Sequence, residues 1–183
     1  MADLEMDCPR CWGKDAKCGK CKGKGKVADR FLSPHFKLSE LVNTPTGRSK
    51  GLANDPTPEI EASLEKLCKE ALEPIREICG PLKINSGYRS DAVNKAVGGS
   101  TTSAHSYGLA ADLHPLKVTW KECMDKTLAA KIKLDQIIFE HTWVHVGLGH
   151  PKIKGQRGQA LTMFVKDGKT TYEPYNPNDS RIA

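Results

Sequence analysis

Ser103-Ala104-His105-Ser106-Tyr107-Gly108-Leu109-Ala110-Ala111-Asp112 is the most informative stretch of the chain. An imidazole nitrogen and a carboxylate oxygen are donors that zinc accepts at about 2.0–2.2 Å, and a turn at Gly108 can aim both at one point. Further on, Trp143-Val144-His145-Val146 alternates in a way that puts Trp143 and His145 on one strand face and supplies a third ligand. Three protein ligands leave one position open, the arrangement of catalytic zinc, whereas structural sites are closed by four. Such a site suits amide hydrolysis, because zinc polarises a carbonyl and lowers the pKa of bound water to about 7. Hydrolysis also needs a base and a partner for the oxyanion. Glu140 is the carboxylate nearest before His145, and Arg89, in Ser86-Gly87-Tyr88-Arg89-Ser90, offers a fixed positive charge. Residues five apart on an unbroken strand face opposite sides, so Glu140 requires a turn at His141-Thr142. Without that turn His141 is the rival.

Around this stretch the pattern alternates between helix and short strand. Over 59–79 the apolar residues Ile60, Leu64, Leu67, Ala71, Ile75 and Ile78 recur at helical spacing. Thr57 can cap this helix, Pro58 suits its first turn, Gly80-Pro81 stops it, and Pro74 predicts a kink or break. Strands are predicted at 82–85, 109–113, 136–139 and 143–148, short helices at 91–97 and 120–133, and a hairpin at 161–165 and 170–175 around Asp167-Gly168. The proline-rich segment 31–58 reads as extended chain and turns. Cys68, Cys79 and Cys123 read as buried thiols, and His114 and His150 as surface residues. Helices and strands mix without β-α-β alternation, which predicts an α+β fold.

The joint pattern S-x-H-x-x-G-x-A-x-D, preceded by S-G-Y-R and followed by W-V-H, resembles the zinc D-alanyl-D-alanine peptidases of family M15, which include vancomycin-resistance dipeptidases and phage L-alanyl-D-glutamate endolysins. The likeness runs over about residues 36–148 and is closest to the phage and bacterial branch. It is carried in order by Phe36-Lys37-Leu38-Ser39-Glu40-Leu41, by 84–90, by 97–100, by 103–112 and by 143–146. The resemblance implies a small antiparallel sheet with flanking helices. It places the catalytic zinc on His105, Asp112 and His145, the carbonyl-polarising arginine on Arg89, and a substrate-pocket serine on Ser103. Trp143, by itself, reads as a wall of the pocket or a core residue. Family members place the general base either three positions before the last ligand, where this chain has Thr142, or five before it, where it has Glu140 with His141 beside it.

A second pattern lies at the N-terminus. Cys8-Pro9-Arg10-Cys11 and Cys18-Gly19-Lys20-Cys21 form C-x2-C-x6-C-x2-C, the spacing of a closed tetrahedral four-thiolate zinc site. The second half is similar to the C-x-x-C-x-G-x-G repeat of DnaJ-type chaperone zinc regions. Residues 1–30 are therefore expected to be a zinc-ribbon-like four-cysteine module and 31–183 the peptidase domain. The zinc complement is one catalytic and one structural ion. The module cannot form a sizeable apolar core, so its metal supplies most of its folding energy.

The chain has 183 residues, of which 38% are hydrophobic and 27% charged, and a formal net charge of +6. That fits a globular protein with an affinity for anionic partners and excludes fibrous and low-complexity classes. No apolar run reaches the roughly 20 residues needed to span a bilayer. Met1-Ala2-Asp3-Leu4-Glu5 lacks the basic start of a secretory signal, so synthesis in a host cytoplasm is expected. Action at the bacterial cell wall then follows lysis or transport, or carriage in a phage virion. The partners implied are bacterial peptidoglycan and, through the four-cysteine module, phage tail or other virion proteins. Nucleic acid is disfavoured, because only Trp12 interleaves with the module's lysines. The alternative is a catalytically silent wall-binding or virion structural protein that keeps the peptidase fold.

Overall fold

Thr57 caps the first long helix by accepting from the Ile60 amide, and Pro58 fills its first turn, where no N–H is required. The computed structural model containing this helix describes residues 4–151 and 155–182. In chain order, strands β1 (Glu5–Asp7) and β2 (Lys26–Ala28) precede helices α1 (Leu38–Val42), α2 (Pro45–Lys50) and α3 (Pro58–Leu67). A π-helical turn (Cys68–Leu72) leads into α4 (Glu73–Cys79), followed by β3 (Leu82–Ser86), α5 (Asp91–Ala96), β4 (Ala110–Pro115) and α6 (Trp120–Ala129). Strands β5 (Gln136–Phe139), β6 (Val144–Gly147), β7 (Gln159–Lys166) and β8 (Lys169–Pro174) complete the fold, which is α+β as expected.

Pro74 does not break the helix. Having no N–H, it cannot bond the carbonyl four residues back. The disturbance is absorbed one turn earlier, where the Glu73 amide reaches the Cys68 carbonyl across the π turn. Leu64, Leu67, Ala71, Leu72 and Ile75 consequently stay on one fully buried face. The segment 31–58 is not all extended chain. Glu40 accepts from the Lys37 amide at the start of α1, Thr44 caps α2, and both helices are too short for periodicity to reveal them. Helix α6 ends at Ala129 rather than 133, and Lys131 follows in a left-handed conformation.

The strands form a two-stranded sheet, β1-β2, and a six-stranded sheet in the order β3-β4-β6-β5-β7-β8. Neighbouring strands run antiparallel except β5 and β7, which run parallel. The register puts Ser86, Asp112, His145, Ile138, Leu161 and Pro174 in one row across the large sheet. Paired positions share a face and the side-chain period is two, so Ala111, Leu113, Ile137, Phe139, Val144 and Val146 turn to the other face. There they join the residues of α3, α4 and α6 in the main core. Cys68, Cys79 and Cys123 are buried in that core. Ile182, near the C-terminus, and Met6, from β1, also belong to it. No helix among the described residues is long and apolar enough to cross a membrane.

Candidate active site

Asp112 and His145 face each other across β4 and β6, and His105 is brought beside them by the 3-10 turn Ala104–Tyr107. Gly108 ends that turn at φ 67°, and a Cβ there would sit 2.9 Å from the Ile60 carbonyl oxygen, so both conformation and space call for glycine. His105 Nε2 lies 3.2 Å from His145 Nδ1 and 3.3 Å from Asp112 Oδ1, and the latter two are 2.9 Å apart. Tetrahedral zinc with such ligands sets neighbouring donors about 3.4 Å apart, so the triangle fits the ion.

The supporting bonds favour that use. His105 Nδ1 donates to the Gly87 carbonyl at 2.7 Å, which leaves the Nε2 lone pair directed at the triangle. Burial pushes the His105 ring below the ordinary histidine range, which keeps it neutral and able to ligate. Burial would raise the Asp112 carboxyl, but His105 and His145 outweigh it and hold the carboxyl well below its usual range. Arg89 takes the other oxygen: its Nη2 donates to Asp112 Oδ2 at 2.5 Å, while Nε donates to Ser86 Oγ at 2.8 Å. The same Nη2 lies 3.2 Å from His105 Nε2.

A cavity of about 510 Å³ opens over the triangle, and Arg89, Ser103, Glu140 and Trp143 line it. Between β5 and β6 the Glu140 amide donates to the Trp143 carbonyl at 3.0 Å and the Thr142 amide to the Glu140 carbonyl at 2.7 Å. His141 takes φ 61° in this turn. The turn separates the two base candidates. Glu140 continues the Gln136 and Ile138 face into the cavity, whereas His141 places Nε2 2.8 Å from the Met163 carbonyl and its ring against Phe139 and Phe164. Burial, joined by the Asp112 charge, raises the Glu140 carboxyl above its ordinary range, and the charges of His145 and Arg89 oppose that shift without cancelling it. Trp143 precedes β6 rather than sharing its face, yet it still reaches the cavity wall.

Part of the cavity lining was hidden from sequence reasoning. Leu161 and Tyr172, from the β7–β8 hairpin, and Arg157 contribute to the wall. His150 does as well: it is buried rather than on the surface, with its ring edge-on to Tyr107 at 4.6 Å. His114, also expected at the surface, is half-buried and accepts from Trp120 Nε1 at 3.1 Å. No short motif marks these residues; only long-range packing brings them to the cavity or the interior.

The four N-terminal cysteines form a second cluster with all sulfurs within 4.8 Å of one another. Cys8 and Cys18 Sγ are 3.9 Å apart, and Cys11 and Cys21 Sγ 3.6 Å apart. Zinc with four sulfurs at about 2.3 Å spaces them by about 3.8 Å, so this set fits the ion too. The two halves repeat in conformation. Trp12 and Lys22 follow Cys11 and Cys21 in the left-handed region, and Gly13 and Gly23 follow them at φ 78°. Burial pushes the Cys8 thiol up to about 12, while backbone N–H groups of Cys21 and Lys20 draw the Cys18 thiol down to about 7.

A cluster of three donors able to hold one metal ion, beneath a polar cavity on one face of the large sheet, fits a metal-dependent hydrolase. The family model described as Peptidase M15 matches residues 34–147, and the chain belongs to that family. It is thus a zinc metallopeptidase of a family directed at peptidoglycan-type substrates. No curated protein matches the chain. The family match ends before the β7–β8 hairpin and excludes the four-cysteine cluster.

Proposed function

We propose that this chain cleaves amide bonds in peptidoglycan stem peptides, at D-Ala-D-Ala or L-Ala-D-Glu, as a phage-type endolysin or virion-associated wall hydrolase. The observation that carries the reading is the triangle of His105, Asp112 and His145 donors at 2.9–3.3 Å, on the floor of a cavity shared with Glu140 and Arg89. These three residues would hold the catalytic zinc and the four cysteines a structural one. Bound in the triangle, zinc supplies Lewis acidity toward a carbonyl oxygen and toward water.

The protein's own groups do the remaining work. Arg89, anchored to Ser86 and Asp112, faces the negative charge that develops on the scissile carbonyl oxygen. Glu140 takes a proton from the attacking water on its carboxylate oxygen and returns it to the leaving amine nitrogen. Ser103 and Trp143 bound the space in which the peptide lies. Lys17, Lys22 and Lys24 of the four-cysteine module are exposed and serve contact with virion or wall partners.

Mass spectrometry of fragments released from purified peptidoglycan tests this reading, with the intact protein set against His145→Ala. New stem-peptide termini made by the intact protein alone are the expected result, and they identify the bond. Absence of cleavage across a panel of wall chemotypes, by folded and zinc-loaded protein, overturns it in favour of a silent wall-binding or virion part.

A further inference from the structure

Residues 52–55, between α2 and α3, bond alternately to the four-cysteine module and to the chain around Arg89. On the module side, Trp12 Nε1 donates to the Leu52 carbonyl at 2.8 Å and the Asn54 amide donates to the Pro9 carbonyl at 2.7 Å. The Asp55 carboxylate accepts from Arg10 at 2.9 Å and from Lys20. Pro9 and Arg10 stand between Cys8 and Cys11, Trp12 directly follows Cys11, and Lys20 stands between Cys18 and Cys21. Every module-side anchor is thus part of a cysteine turn.

On the other side the bonds converge on the two neighbours of Arg89. Ser90 Oγ donates to the Ala53 carbonyl at 2.7 Å. Asn54, with no exposed surface, makes three side-chain bonds at once. Its Nδ2 donates to the Tyr88 carbonyl at 2.9 Å and the Val42 carbonyl at 2.8 Å, and its Oδ1 accepts from the Ser90 amide at 2.7 Å. The carbonyl just before Arg89 and the amide just after it are therefore held by one buried side chain. Buried polar groups satisfied this fully have few alternative arrangements.

We propose that residues 52–55 are a strap through which the metal-held four-cysteine module fixes the position of Arg89, making Asn54 a positioning residue of the site. The inference rests on the reading that Arg89 faces the substrate carbonyl. Apart from Val27 packed beside it, the buried cluster of the module consists of its own cysteines, so the cysteine turns keep their shape through the metal. Loss of that metal releases Pro9 and Trp12, then the strap, then the backbone on both sides of Arg89. Asp112 and His145 are set by the β4–β6 register and stay in place, even though Asp112 also accepts from Arg89.

Hydrogen–deuterium exchange on the full chain tests the strap without relying on activity. Cys11→Ser removes a sulfur ligand, while Trp12→Phe combined with Lys20→Gln cuts two anchors and leaves every cysteine in place. Both variants are expected to speed exchange at the Asn54 and Ser90 amides while β4 and β6 stay protected. Both are also expected to lower kcat on peptidoglycan by about 10–100-fold with KM unchanged, as loss of an outer-shell contact does. Unchanged exchange at Asn54 and Ser90 in the anchor variant, or in Cys11→Ser while residues 8–25 open, overturns the proposal. Faster exchange in both variants, with an intact protein that cleaves no wall polymer, upholds the strap and removes the peptidase reading instead.

Discussion

Asp112 divides its two oxygens between two tasks, Oδ1 toward the histidines and Oδ2 toward Arg89. A carboxylate oriented from both sides has one rotamer to offer a metal, which is how outer contacts tune a ligand. Glu140 and Arg89 differ from the three donors in that neither is needed to hold an ion. Glu140→Gln is expected to reduce kcat by about 10²–10⁴-fold, the usual contribution of a general base. Arg89→Met is expected to reduce it by about 10²–10³-fold, the loss typical of one oxyanion donor. Metal analysis should find the same zinc content in Glu140→Gln as in the intact protein, whereas His145→Ala should lose one ion per chain. A Glu140→Gln protein that retains full kcat would remove Glu140 from the chemistry.

Single elements hold the site through local rules that mutation can isolate. The turn carrying His105 depends on Gly108, whose φ of 67° and closeness to Ile60 exclude a side chain. Gly108→Ala should destabilise the fold by about 1–2 kcal/mol, seen as a Tm lower by about 2–8 °C, and should weaken zinc binding as well. Thr119 makes a capping box with Glu122 at the start of α6, which packs on the opposite face of the sheet from the cavity. Thr119→Ala should therefore cost about 1 kcal/mol of stability and leave kcat and zinc content untouched. Calorimetry alongside metal titration separates the two cases. A Gly108→Ala protein with unchanged zinc affinity would show that the turn does not aim His105.

Across the whole molecule, stability should follow the carboxylates buried among cations. Asp135 is 1% exposed and accepts from the Arg157 backbone amide at 2.7 Å and from its Nε at 3.0 Å. Burial alone would raise the Asp135 carboxyl, but Arg157 holds it below its ordinary value of 3.8. A group whose pKa is lower in the folded state stabilises fully above the unfolded value, and loses that contribution as pH falls through the folded one. Urea midpoints should thus drop as pH is lowered below about 4. Asp135→Asn should be less stable at neutral pH and show a shallower acid slope, and an unchanged slope would assign the acid sensitivity to other carboxylates.

The candidate site was legible in the sequence because its residues lie in short contiguous runs. His105 and Asp112 flank one glycine turn, and the four cysteines sit in two four-residue turns whose spacing matches one ion. The long helix and most strands were legible for the same reason, since period and cap residues are local signals. Other features depended on tertiary structure. Helix α1 is stabilised by burial of Leu38, Leu41 and Val42 and α2 by its Thr44 cap, rather than by periodicity. Glu140 kept His141 as a rival on paper until a left-handed residue in the turn sent the two to different surroundings. The burial of His150 and the contacts of residues 52–55 join segments far apart in sequence. Spacing along the chain reports which groups can meet locally, whereas long-range packing and register decide which of them share a cavity.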